Sequence, residues 1–193
     1  MRVSVEEGVV QTAESLSKVT VPAMRSGGFP DAEDQERGYG DMVELVANLT
    51  LFLQLSRLGI PTGVNIQANR GDDYDLSVFE TTWNTKASLW QPYRNTGLHL
   101  FAKQEDTNKP ITGFIQVFVH LDEEEDDDPH VHVAGIASLA KVNRYPVQAI
   151  PKTGYPGYAV PNEELTSWEV FIERSLSRLG QKTGTPPAEN RFA

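Results

Sequence analysis

The chain has 193 residues, 39% hydrophobic and 23% charged, which is ordinary for one soluble globular domain with a core of its own. Its net charge of −10 argues against a general nucleic-acid coat protein, because such proteins bind phosphates through Lys and Arg. The absence of cysteine excludes disulfides and thiolate metal sites. No apolar run approaches the roughly 20 residues of a membrane span, and the N-terminus carries acids where a signal peptide is basic. We therefore expect a cytoplasmic protein without a membrane partner.

Helices are predicted near residues 7–17 and, much more clearly, over residues 41–58. In the second segment the apolar residues recur with the i, i+3, i+4 spacing of a helix that buries one face. Gly59 and Pro61 follow and predict its end.

Strand-like segments follow the second helix and make up the middle of the chain. Because residues 112–121 are rich in aromatic and β-branched side chains at every position, this segment is predicted to be buried on both faces. The predicted strands cover residues 63–68, 74–80, 82–90, 97–102, 112–121 and 130–140.

The remaining segments are predicted to be a loop, an irregular stretch, a helix and a tail. Seven consecutive acids at residues 122–128 are typical of a solvated loop between two strands. Residues 145–162 are rich in proline and predict an irregular loop. Asn162 is expected to cap a last helix over residues 163–179, and a disordered tail is expected over residues 181–193.

These elements together predict an α/β (α+β) fold with a mixed central β-sheet flanked by helices. A single domain is expected over residues 1–180. A homodimer remains possible.

The most informative segment is the predicted hairpin over residues 75–90. Side chains alternate between the faces of a strand, so Asn84 and Lys86 lie on one face, and pairing of the two strands brings Asp75 close to it. A carboxylate, an amide oxygen and an ammonium group on one surface can hold a Mg²⁺ ion and a phosphate.

The spacing resembles the active-site hairpin of the PD-(D/E)xK nuclease superfamily, which has the restriction-endonuclease-like fold. In that pattern an Asp is followed nine positions later by Glu or Asp, and a Lys follows two positions after that. Asp75, Asn84 and Lys86 have this spacing, but Asn84 replaces the middle acid. Since an amide oxygen is neutral, metal affinity is expected to be lower than in the usual pattern.

The resemblance implies Mg²⁺-dependent (or Mn²⁺-dependent) hydrolysis of DNA. It assigns the metal to Asp75, Asn84 and the Thr85 carbonyl, and the stabilisation of phosphate charge to Lys86. The segment R-G-Y-G-D-M-V-E resembles the helix opening of the same family, which often contributes a further acid. Asp41 and Glu44 are the candidates, and Glu44 is favoured because it lies among apolar neighbours.

Two alternatives remain open. The same fold can have lost catalysis and become a partner-binding protein, with the acidic loop 122–128 as its contact surface; Asn84 and the net charge favour this hypothesis. A His-metal protein is the other, since His130 and His132 share a strand face and His120 and His99 are further candidate ligands. The simpler interpretation of His130 and His132 is a pair on an edge strand whose pKa is raised by neighbouring acids.

Overall fold

The computed structural model describes residues 1–20, 32–66, 74–89, 99–121, 128–151 and 153–183. Its helices are α1 (Glu7–Thr20), α2 (Ala32–Arg57), α3 (Leu139–Val142) and α4 (Trp168–Thr183), with short 3₁₀ helices at Glu105–Asn108 and Asn162–Glu164. Its strands are β1 (Arg2–Ser4), β2 (Thr62–Val64), β3 (Leu76–Val78), β4 (Thr81–Leu89), β5 (His99–Lys103), β6 (Gly113–His120), β7 (His130–Ser138), β8 (Gln148–Ala149) and β9 (Pro156–Pro161). No helix in these ranges has the length and apolar character needed to cross a bilayer.

Six strands form a mixed sheet in the order β1-β7-β6-β4-β3-β2. All neighbouring pairs are antiparallel except β4 and β6, which run parallel. A parallel pair needs a long crossover connection. Here the crossover carries β5 and the 3₁₀ helix Glu105–Asn108, and β5 joins β9 and β8 in a second, antiparallel sheet.

The main hydrophobic core lies between the long helices and one face of the six-stranded sheet. Leu51 and Leu55 of α2, Ile115 and Val117 of β6 and Trp168 of α4 are fully buried in it. The indole N–H of Trp168 donates to Gln54 Oε1 at 2.8 Å and so joins α4 to α2.

A smaller core lies on the opposite face of the same sheet. Phe114 alternates with Ile115 along β6 and therefore points away from the helices. It packs with Leu100 of β5 and Val160 of β9, so the three-stranded sheet covers this end of the six-stranded one.

The mixed α+β architecture with a helix-flanked sheet is confirmed, and each predicted strand overlaps one in the structure. Helix α2 ends where expected, but it begins at Ala32, so Gly40 and Asp41 lie inside it and do not open it. A single glycine costs a helix only about 1 kcal/mol, which the surrounding packing outweighs.

The prediction of an irregular loop over residues 145–162 was wrong, because this stretch contains β8 and β9. Backbone pairing with β5 overrides the breaking effect of the prolines. Asn162 belongs to a 3₁₀ helix and does not cap α4, whose Val170 N–H bonds Ser167 Oγ at 3.3 Å. Helix α4 includes residues 181–183 of the expected tail, and residues 184–193 lie outside the described residues.

We expect Gly135→Ala to destabilise the fold. Gly135 has φ +149°, and an added Cβ would lie 2.7 Å from Leu165 Cβ and from the Thr166 carbonyl oxygen. The predicted loss is about 2 kcal/mol or more in free energy of unfolding, measured by urea denaturation. Gly40→Ala is the control, because a Cβ there meets nothing within 4 Å and Ala favours a helix by about 0.5–1 kcal/mol. Equal stability of the two variants would contradict this account of the close approach of Gly135 to Leu165 and Thr166.

Candidate functional site

The site begins where the ladder between β3 and β4 ends. One position before Leu76, the backbone N–H of Asp75 donates to the Trp83 carbonyl at 2.9 Å. The Asp75 Oδ2 accepts from the Thr85 N–H at 2.7 Å. A side-chain carboxylate thus takes the position of a backbone acceptor, which fixes Asp75 against β4.

Asn84 and Lys86 lie on the face of β4 that is in register with Phe114 of the smaller core. Asn84 lies in register with Phe114, and the Lys86 Nζ is 5.7 Å from the centre of the Phe114 ring. Asn84 is buried, and its Oδ1 has no hydrogen-bond partner among the described residues. Leaving such an acceptor unpaired costs about 1–3 kcal/mol, so this amide oxygen calls for an explanation.

Helix α2 brings a second carboxylate to the same region. The pKa of Glu44 is raised to about 7, first by burial and then by the negative charge of Asp75, while Lys86 acts in the opposite direction. Asp41 raises the pKa of Glu44 further. Burial also raises the pKa of Asp75, against the lowering effects of the Thr85 N–H and of Lys86.

Asp106, in the crossover between β4 and β6, joins the site although no sequence pattern indicated it. Its carboxylate is buried and pairs with Lys86 Nζ at 2.8 Å and with Lys109 Nζ at 3.2 Å. Burial acts to raise the pKa of Asp106, but the two lysines outweigh it and the pKa is lowered. Asp106 is therefore ionised and holds the Lys86 ammonium in place.

The structure brings together the predicted residues of the hairpin and of the preceding helix. Asp75, the Thr85 backbone and Lys86 are linked by direct contact or by charge, and Glu44 interacts with them from α2. Asp41 influences Glu44 less than Asp75 does. Whether these residues catalyse a reaction stays a prediction.

The side chains near Asp75 that could hold a metal ion offer oxygen donors. Within the described residues no three His, Asp or Glu side chains converge as a metal-binding group. Two half-buried carboxylates with raised pKa, a buried amide oxygen without a partner among the described residues and a strand carbonyl are all oxygen donors, which Mg²⁺ prefers.

The histidines form a separate group. His120 pairs with His130 across β6 and β7, and their rings stack at 4.7 Å between centroids. His99 lies on the smaller sheet and stacks on Phe101, so it does not join them. Strand β7 is not an edge strand, because β1 pairs with it.

The expectation of a raised histidine pKa was wrong for His132. The pKa of this residue is lowered, first by burial and then by the N-terminal ammonium and by His130. The acids at residues 122–127, which were expected to raise it, lie outside the described residues.

No family model, no curated protein and no solved structure matches this chain. The functional argument therefore depends on the chain's own geometry.

The raised pKa of Glu44 predicts a pH-dependent stability in metal-free buffer. The folded state binds this proton more tightly than the unfolded state, so the stabilisation is complete below pH 4.5 and is lost as pH rises towards about 7. The side chain of Glu44→Gln is neutral at every pH. We therefore expect the free energy of unfolding of this variant to fall by on the order of 2 kcal/mol less than that of the wild type over the same pH range. Urea unfolding at several pH values with EDTA measures it.

Glu173→Gln, at an exposed position on α4, is the matched control and should follow the wild type. If Glu44→Gln keeps the full decline of the wild type, Glu44 is not buried beside Asp75 as described.

Proposed function

We propose that this chain is a Mg²⁺-dependent (or Mn²⁺-dependent) nuclease of the restriction-endonuclease-like fold that hydrolyses phosphodiester bonds in DNA. The observation that carries the proposal is that the charges of Asp75 and Lys86 act on Glu44 at the end of the β3–β4 ladder, where β4 also carries Asn84, whose buried Oδ1 has no hydrogen-bond partner among the described residues. A cytoplasmic location belongs to the same proposal and is supported by the lack of cysteine.

The order of elements supports the fold proposal. A helix that carries an acid (α2) precedes a hairpin (β3–β4) with Asp75 at its start and Lys86 within its second strand. A strand buried along its whole length (β6) then lies beside the hairpin. This is the arrangement that the spacing of Asp75, Asn84 and Lys86 implies through its resemblance to the PD-(D/E)xK nucleases.

The proposed cation ligands are the Asp75 and Glu44 carboxylates, the Asn84 amide oxygen and the Thr85 carbonyl, with Asp41 as a more distant acid. When bound, the cation supplies Lewis-acid polarisation of the phosphate and a lower pKa for the attacking water. The two carboxylates provide two negative charges and the amide none, which favours weaker cation binding than three carboxylates give.

We assign to Lys86 the stabilisation of the negative charge that develops on the phosphate during the reaction. Its ammonium lies in a low-dielectric setting against Phe114 and is fixed by Asp106. A cation held in place before the reaction stabilises a transition state more than a mobile one, because little reorganisation is needed. Asp106 acts as a positioning residue through this ion pair.

We expect Lys86→Ala to lower Mg²⁺- or Mn²⁺-dependent nicking of plasmid DNA by about 10²-fold or more, because an electrostatic contribution to the transition state is lost. Lys103→Ala is the matched control: Lys103 also pairs with an acid, Glu105, but on an exposed surface of the smaller sheet. Unchanged nicking by Lys86→Ala, with the fold intact by circular dichroism, would contradict the site assignment.

Asn84→Asp tests the cation site without an activity readout. An added carboxylate should tighten Mg²⁺ or Mn²⁺ binding by about tenfold or more in calorimetry, because charge attraction in a partly buried site is strong. The same variant should be less stable than wild type in EDTA, and added metal should reverse this. No gain in affinity would contradict the placement of Asn84 beside the cation.

The second candidate function is a catalytically inactive binding protein of the same fold. One observation favours it: the ammonium of Lys86 is already paired with a buried carboxylate, and Asn84 lacks the charge of the usual ligand. Calorimetry separates the two functions. If wild type shows no cation binding and Asn84→Asp shows none either, the binding protein is favoured, with the acidic run 122–128 as its proposed contact surface.

A further inference from the structure

We propose a second metal site, made by His120 and His130, that binds a transition-metal ion of the Zn²⁺ class. The site is independent of the proposed nuclease centre, because it uses imidazole nitrogens from a different pair of strands. It lies where β6 ends and β7 begins.

The two imidazoles are held side by side by the sheet. His120 and His130 are directly paired across the antiparallel ladder, and their rings lie 4.7 Å apart at an interplanar angle of 24°. Directly opposite residues have Cβ atoms about 4.5–5.5 Å apart. Rotation of the side chains is then enough to bring one nitrogen of each ring to the roughly 2.0–2.1 Å of a Zn–N bond.

Each of the two rings has one nitrogen that makes no hydrogen bond among the described residues. His120 is 8% exposed, and its Nδ1 has no hydrogen-bond partner among the described residues. His130 Nδ1 lies 3.0 Å from the Asp128 carbonyl oxygen. A carbonyl only accepts, so Nδ1 of His130 is the donor and its Nε2 keeps a lone pair. This backbone contact is typical of metal-binding histidines, whose second nitrogen donates to a carbonyl or carboxylate.

The sequence between the two histidines favours a cation. The sequence that connects the two histidines contains the seven consecutive acids of residues 122–128. A local excess of negative charge raises the concentration of cations near the site. Selectivity then comes from the ligands, because imidazole suits Zn²⁺, Cu²⁺ and Ni²⁺, whereas Mg²⁺ prefers oxygen.

His132 provides a matched control. It lies on the same face of β7 as His130, two positions further along, where its cross-strand partner is Phe118 and not a histidine. Because the described residues contain no group of three potential ligands, the proposed site has two protein ligands and leaves its other positions to water or to a further ligand.

Calorimetric titration with Zn²⁺ in excess Mg²⁺ tests the proposal, since the excess Mg²⁺ occupies oxygen sites. We expect one Zn²⁺ per chain in the wild type, a loss of about tenfold or more in affinity for His120→Ala and for His130→Ala, and little change for His132→Ala. Circular dichroism checks folding. His130 is only half-buried, so His130→Ala keeps the test decisive if the His120 variant is unstable.

Cu²⁺ bound to the wild type should show electron paramagnetic resonance splitting from two imidazole nitrogens. No Zn²⁺ binding by the wild type would overturn the proposal. So would binding that survives in His130→Ala, which would assign the ion to carboxylates, or an equal loss in His132→Ala.

Discussion

The balance of charge around Asp75 is the constraint on which the candidate site depends. Burial opposes ionisation of this carboxylate, and the Thr85 N–H and the ammonium groups of Lys86 and Lys109 favour it. Glu44 adds a second half-buried carboxylate whose proton is retained towards neutral pH. Such a grouping lowers the stability of a fold, and proteins keep such groupings mainly at functional sites.

The crossover between the parallel strands β4 and β6 determines how Lys86 is held. Because β4 and β6 run parallel, the chain has to return to the starting end of the sheet before β6 begins. The returning segment contains β5 and a 3₁₀ helix, and that helix carries Asp106. The smaller sheet formed by β5 and β9 covers Phe114, against which the Lys86 ammonium lies. The topology of the sheet therefore determines which side chains surround the Lys86 ammonium and which acid fixes its position.

The hairpin was predictable from the sequence because its information is local. Strand alternation alone brings Asn84 and Lys86 to one face, and pairing adds Asp75. Asp106 was not predictable, since it reaches the site through a non-local connection whose packing leaves no spacing pattern. The start of α2 was missed because Gly40 is a local signal that tertiary packing overrides, and β9 was missed because pairing with β5 provides what its proline-rich sequence does not indicate.

The bond between Trp168 and Gln54 connects two segments far apart in the sequence. Gln54 lies on the same helix as Glu44, about three turns away. The packing of α4 and the position of the Glu44 carboxylate, near the middle of α2, therefore depend on the same stiff helix. A substitution that shifts α4 acts on the helix that carries Glu44 without altering any residue around that carboxylate.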